Sequence, residues 1–441
     1  MIQLENPKDR LYLEVYRYYK ELILGKKLQP GTKMPSLRAS AAELKLSRTT
    51  IENAYLQLAA DGYIISRPQS GYFVTEAASH RHQTREAPAK QNRNFLFDFS
   101  TSGVDRESFR FDLWSRYIKS ALRQDQRMLT YGEAQGEKDF REVLAAYVRE
   151  RRNILCSPDE IVVGASVQSL LQILCPLISA KENTVSFPTP SFVQGATIFR
   201  DFGFQVNYRD KDSSVIYVSP AHMTKWGEVM PVSRRLELLC HAKSRGSLII
   251  EDDYENEFVY LQKPTPSLFG LAGGQDVVYL GSFSRLLLPS IRVSFMILSQ
   301  PLLDRYLEKA ACYNQTASKS EQIALCQFIR DGHLSAQIRR LRRLYAQKEK
   351  ELLSVITQVF GDAGSVRTGA AGTSLALTIA CGATKEQLEE AALQNGLRVR
   401  ILSETKTEKT FLLSYSAMPV RDFLPACQLL KEVLAQFSSV N

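Results

Sequence analysis

The stretch SFSRLLLPSIR, residues 282–292, follows the β-rich run VVYLGS and holds the residue on which the reading of the chain turns, Arg285. A guanidinium stays protonated at any ordinary pH, so Arg285 can hold an anion but cannot supply the neutral amine that a Schiff base needs. Outward from this stretch, apolar β-rich runs alternate with helical ones: EIVVGAS, NTVSFP, FQVNY, SVIYVSP, SLIIEDD, VVYLGS and RVSFMIL. That alternation predicts an α/β fold, a mostly parallel sheet covered by helices. Ligands of such sheets collect at the carboxyl ends of the strands, where the chemically active side chains of this region also fall.

With 441 residues the chain is expected to hold more than one domain. Its 44 % hydrophobic content suits a globular protein, and no apolar run approaches the ~18 residues of a membrane span. MIQLENPKDR lacks the pattern of a signal peptide, which places the protein in the cytoplasm as an expectation. The seven cysteines are scattered singly, a pattern of reduced core thiols and not of disulfides or zinc. No metal site is expected; His80 and His82 sit in a polar stretch and read as solvated residues.

The net charge of +9 is compatible with a polyanionic partner, and residues 1–75 hold an excess of four positive charges. Pattern argues more strongly than charge. Leu11, Val15, Tyr18 and Leu22 recur at helical spacing up to Gly25. MPSLRASAAEL predicts a short helix capped by Ser36, and LKLSRTTIENAYLQLAADGY a second one capped by Ser47, with Ile51, Ala54, Tyr55 and Leu58 buried. Joined through Lys45-Leu46, the two read as helix-turn-helix, with Arg48, Thr49 and Thr50 at the start of the recognition helix. YIISR and GYFV, around Pro68-Gln69-Ser70, predict a two-stranded wing. Residues 76–97 are polar, basic and rich in Ala, and read as a flexible linker that adds non-specific attraction to DNA.

These features resemble the winged helix-turn-helix of the GntR family, through Pro35, Ser36, Arg38, Ser47, Arg48, Thr50, Ala54, Tyr55, Leu58, Gly62, Tyr63, Arg67, Gly71 and Val74. The resemblance implies that Arg38 and Arg48 contact phosphate or guanine, that Thr49 and Thr50 support them, and that Gln69, Ser70 and Gly71 approach the minor groove.

Residues 98–441 resemble a fold-type I aminotransferase domain, and its pairing with a GntR head resembles the MocR-type regulators. The resemblance rests on YGEAQG (131–136), GASVQSL, FPTPSF, VSPAH, EDDYENEF and SFSR. It implies a phosphate cup from the amides of Ser166 and Val167 at a helix N-terminus, and Phe192 stacked on a pyridine ring. It likewise implies Pro220 and His222 beside the ring, Asp252 at the pyridinium nitrogen, and Tyr254 at the ring's phenolic oxygen. Ser282, Ser284 and Arg292 would hold the phosphate, and Arg285 stands in the slot of the Schiff-base lysine. An arginine for a substrate carboxylate is missing as well: Leu412 and Leu413 lie at about its place, with Arg398 and Arg400 as candidate substitutes. The basic run QIRRLRRLYAQKEK (337–350) reads as a helix with Ile338, Leu341 and Tyr345 inward.

The expected protein is a homodimeric DNA-binding transcription regulator whose large domain senses a small molecule and lacks aminotransferase turnover. Three ligand states are open: pyridoxal 5'-phosphate held non-covalently, its preformed external aldimine with an amine or amino acid, or another small anion with the cofactor absent. The competing classes are a pyridoxal-phosphate-dependent aminotransferase carrying a DNA-binding head, and a winged-helix protein whose large domain is a dimerisation scaffold.

Overall fold

A computed structural model describes residues 11–75, 95–101, 103–178, 183–258 and 265–437. The chain divides into two compact units, Met1–Arg93 and Asn94–Asn441. The stretch read as a linker lies, as far as residue 94, outside the described residues.

The first unit contains helices α1 (Leu11–Leu24), α2 (Leu37–Leu44) and α3 (Arg48–Ala60), then the hairpin strands β1 (Ile64–Arg67) and β2 (Gly71–Val74). Both caps form: Ser36 Oγ accepts from the Ala39 amide and Ser47 Oγ from the Thr50 amide, each at 3.1 Å. Lys45 adopts the left-handed conformation that ends α2 and turns the chain into α3. Ile51, Ala54, Tyr55 and Leu58 are fully buried as expected. The face of α1 differs: it buries Val15, Tyr19 and Ile23, while Leu11 is exposed and Tyr18 and Leu22 are half-buried. Glu14, Arg17, Lys20 and Glu21 occupy one side of this helix and leave a wide apolar arc, so spacing alone left its exact rotation open. A buried hydroxyl chain decides it, since Tyr19 Oη lies 2.8 Å from Ser40 Oγ, which lies 2.9 Å from Tyr55 Oη. Tyr55 Oη also lies 3.1 Å from the Pro35 carbonyl, and the chain ties all three helices together. The hairpin turns through Gln69 and Gly71, both at positive φ.

The second unit is built on seven strands: β4 (Ile161–Gly164), β5 (Thr184–Phe187), β6 (Gln205–Tyr208), β7 (Val215–Val218), β8 (Leu248–Asp252), β9 (Val277–Ser282) and β10 (Ser294–Ile297). A two-residue strand, β3 (Phe97–Asp98), precedes them and pairs with Leu397–Arg398. All seven runs picked out by hydrophobicity join one sheet in the order β4-β10-β9-β8-β7-β5-β6. Only β10 runs antiparallel to its neighbours. The strands of this sheet are apolar and mostly buried on both faces, as a sheet covered by helices requires, except the edge strand β6, which is exposed at both ends. Asp252 and Ser282 are the last residues of β8 and β9, so the sheet delivers them to one edge.

A second, antiparallel sheet was not anticipated: Gly364–Arg367, Ser374–Ala380, Glu408–Ser414 and Arg400–Glu404, hydrogen-bonded in that order. The helix His333–Phe360 carries the basic run and buries Ile338, Leu341 and Tyr345. Some of its cations are used internally, with Arg342 Nε donating to the Glu257 carbonyl at 2.7 Å. No disulfide forms, yet the cysteines are not all core thiols: Cys240 and Cys312 are exposed on the outer surface.

Candidate functional site

On the head, Arg38, Arg48, Thr49, Gln69, Ser70 and Gly71 are all exposed. Arg48 and Thr49 open α3 directly after its cap, where side chains project beyond the helix end. Thr50 is half-buried, and its hydroxyl lies 2.7 Å from Ser47 Oγ, so it reinforces the cap and is less available than its neighbours.

In the large unit the carboxyl ends of β7, β8 and β9 converge. Phe192 and Tyr217 pack with ring centroids 5.4 Å apart, and Tyr217 Oη donates to Asp252 Oδ2 at 2.5 Å. Burial pushes the Asp252 carboxyl up to about 6, against the smaller lowering effect of the Tyr217 hydroxyl. Among the described residues no cation pairs with this buried carboxylate. Tyr254 lies against His222, with centroids 5.0 Å apart.

Arg285 is held by a buried acid. Its Nε donates to Glu255 Oε1 at 2.6 Å, and Nη2 contacts the same oxygen. The other oxygen, Oε2, lies 3.3 Å from His222 Nδ1 but out of hydrogen-bond alignment, which leaves that buried nitrogen without a partner. Burial lowers the pKa of His222, against the raising effect of Glu255; Glu255's own burial raises its carboxyl, but Arg285 first and His222 second hold it below the usual carboxylate range. Glu255 occupies a positive-φ backbone position, consistent with a side chain aimed into the site.

Three serines gather at the end of β9. Ser282 Oγ lies 3.3 Å from Ser284 Oγ, and Ser294 Oγ 3.1 Å from Ser282 Oγ. Arg292 is exposed and bonds only weakly to the Pro289 carbonyl, at 3.4 Å. The expected phosphate cup needs correction. Ser166 caps the helix Val167–Leu174 through a capping box, so its amide is already spent on Ser169 Oγ at 3.0 Å. Val167 contributes the first amide of that helix without an intrahelical acceptor. Tyr131, in YGEAQG, is fully exposed and reaches no part of this constellation.

Sequence reasoning missed Tyr217 and Glu255. Tyr217 is hidden in an apolar strand with nothing to mark its hydroxyl. Glu255 could have been found: a partly buried arginine calls for an acid, and EDDYENEF offers several.

Asp252→Asn is expected to stabilise the ligand-free protein in a pH-dependent way. The folded carboxyl, at about 6, stands above its ordinary 3.8, so its ionised form is penalised at all pH values above 6 and the penalty disappears below 3.8. The gain from the substitution should therefore grow between pH 4 and 6 to about 2–3 kcal/mol and then level off. Urea titrations at pH 4.5 and 7.5 check this; a gain equal at both refutes the buried-carboxylate account.

The fold and these sites define a protein that reads DNA with one unit and carries an aminotransferase framework in the other. The family model for bacterial regulatory proteins of the gntR family matches residues 11–74, and that for aminotransferase class I and II matches residues 99–428. Among curated proteins, the uncharacterized HTH-type transcriptional regulator YdeL of Bacillus subtilis (strain 168) is 32 % identical, covering 96 % of each chain. YhdI of the same organism is 33 % identical over 98 % of this chain and 97 % of its own. The probable rhizopine catabolism regulatory protein MocR of Rhizobium meliloti is 26 % identical over 91 % and 89 %. Among solved structures, an archaeal alanine:glyoxylate aminotransferase superposes with a TM-score of 0.68 at 19 % identity, covering 77 % of this chain and 91 % of that one.

The chain belongs to the gntR family of HTH-type transcriptional regulators, in the group that carries an aminotransferase class I and II domain. It is a DNA-binding transcription regulator with a fold-type I aminotransferase domain.

Proposed function

We propose that this regulator senses pyridoxal phosphate, alone or joined to an amine or amino acid, in a large domain that has no transaminase turnover. The observation that carries the reading is Arg285, in the loop after β9, locked to Glu255. By resemblance that loop supplies a lysine, which would both anchor the cofactor and move the proton at the substrate carbon. A guanidinium does neither.

The remaining residues fit the group. Ser282, Ser284, Arg292 and the Val167 amide suit its phosphate, Asp252 its ring nitrogen, the Phe192 face its ring, and Tyr254 its ring oxygen. The unpartnered Nδ1 of His222 is a further polar atom that a ligand would satisfy. When bound, pyridoxal phosphate supplies an electron-withdrawing ring and a reactive aldehyde; in this chain the side chains bind and orient the group, and the Arg285–Glu255 pair closes the side where a nucleophile would stand.

The regulator acts in this reading as a cytoplasmic homodimer whose two heads read two half-sites. A ligand that favours one arrangement of the large domains shifts head spacing, and with it operator affinity. On the heads, Arg48→Ala is expected to cost about 1–3 kcal/mol of operator binding, a loss of ~5–150-fold. Fluorescence anisotropy on an operator selected from random DNA measures this; unchanged affinity removes Arg48 from the interface.

Turnover is tested by supplying the protein, saturated with pyridoxal phosphate, with L-alanine and glyoxylate. No pyruvate above the protein-free rate is expected. Steady pyruvate formation by the unmodified protein overturns the reading in favour of an aminotransferase with a DNA-binding head.

A further inference from the structure

The two faces of α3 differ in what they touch. Ile51, Ala54, Tyr55 and Leu58 are fully buried, whereas Arg48, Thr49, Glu52, Asn53 and Leu56 are exposed on the opposite side. With about 3.6 residues per turn, Arg48, Glu52 and Leu56 form one row along the helix, and Thr49 and Asn53 form the row beside it. Glu52 and Asn53 therefore continue, one turn further on, the surface that Arg48 and Thr49 open.

Glu52 is out of place on a face that meets a polyanion. The head carries an excess of positive charge, and a carboxylate within about 10 Å of phosphates is repelled by them even at 0.1 M salt. Helix stability does not call for this acid. Ser47 is the cap, Thr50 takes the position from which a side chain could answer it, and Glu52 lies past the first turn, where an acid gains little from the helix dipole. Arg48, four residues earlier, forms no ion pair with it, and neither Glu52 nor Asn53 makes a side-chain hydrogen bond among the described residues.

Base edges supply the partners that the protein does not. In the major groove cytosine presents an amino donor, adenine an amino donor beside the acceptor N7, and guanine and thymine present acceptors. A carboxylate has acceptors only, so it is drawn to cytosine and repelled by the acceptors of the other three bases. The asparagine amide has a donor and an acceptor side by side, the complement of adenine N7 and N6.

We propose that Glu52 and Asn53 set the operator sequence, Glu52 by accepting from the amino group of a cytosine and Asn53 by pairing with an adenine. The charge of Glu52 weakens binding to DNA of any sequence and is offset only where a cytosine stands, so the residue trades general affinity for discrimination. The inference concerns the head alone and does not depend on the pyridoxal reading.

Selection from random DNA with the full chain, followed by fluorescence anisotropy on duplexes that differ at single base pairs, tests both assignments. The unmodified protein should favour C·G at one position of its operator, and A·T at a neighbouring one, by about tenfold over the alternatives. Glu52→Ala should flatten the cytosine preference, and Glu52→Gln, whose amide matches adenine, should shift it to A·T; both should tighten binding to unrelated DNA. Asn53→Ala should flatten the adenine preference and keep that for cytosine. Glu21→Gln, which removes an exposed acid of α1 outside the helix-turn-helix, should change neither and controls for net charge. A cytosine preference that survives both Glu52 substitutions, or an operator without one, overturns the role of Glu52. An adenine preference that survives Asn53→Ala, or is absent from the operator, overturns that of Asn53.

Discussion

Arg285→Lys is expected to turn a removable ligand into a permanent one. The unmodified protein, loaded with pyridoxal phosphate, reduced with borohydride and denatured, should carry no label, whereas the variant should carry close to one label per chain. The reason is protonation: a lysine amine, ordinarily near ~10.4, can lose its proton and attack the aldehyde, and a guanidinium cannot. Glu255 adds a signature. A lysine in this position would sit near the carboxylate that now holds Arg285 Nε at 2.6 Å, and that carboxylate favours the protonated amine. Labelling should accordingly increase as the pH is raised from 7 to 9, and Glu255→Gln in the lysine background should move the rise to lower pH. A variant that retains the ligand yet stays unlabelled up to pH 9 would show that residue 285 does not face the aldehyde.

Arg152→Met carries the largest expected cost in stability, about 3–5 kcal/mol, because it strands a buried carboxylate. Arg152 grips Asp253 with two bonds, Nε to Oδ2 at 2.6 Å and Nη2 to Oδ1 at 3.1 Å, and both side chains are almost wholly buried. Tyr279 Oη donates to the same carboxylate at 2.5 Å, and Arg152 Nη1 donates to the Thr265 carbonyl at 2.8 Å. Asp253 follows Asp252 directly, so this network also fixes the end of β8 on which the site depends. Both tryptophans, Trp114 and Trp226, lie in the large unit, so their fluorescence during urea unfolding reports on that unit alone. The double variant Arg152→Met with Asp253→Leu should recover much of the loss, since no charge is then left unpaired. A small loss in the single variant would mean that Asp253 finds another partner.

The helix-turn-helix was legible because its signals are local. Caps at Ser36 and Ser47, the brief Lys45-Leu46 connection and the run Ile51, Ala54, Tyr55, Leu58 each act within a few residues. The large sheet was legible for a related reason: strands buried on both faces appear as continuous apolar runs, and all seven stood out. The second sheet has mixed patterning, with a bulge between Ile401 and Ser403, and stayed hidden. The face of α1 was misjudged because long-range hydroxyl contacts, not spacing, select it. In the site, the resemblance named residues that the strand ends do bring to one edge, such as Asp252 and Ser282. It could not foresee that Ser166 would spend its amide on its own cap. Nor could it foresee that Glu255 would clasp Arg285, or that strand register would bring Arg400 opposite Leu412. Each of these depends on pairings between distant segments.

The most direct test of the account is the affinity of the full-length protein for an operator selected from random DNA, measured at constant salt with and without saturating pyridoxal phosphate. The account predicts that the ligand changes the dissociation constant severalfold and that Asp252→Asn, which removes the partner of the ring nitrogen, abolishes the change. An affinity indifferent to the ligand, in a protein shown to bind it, would contradict the claim and leave the large domain as a scaffold.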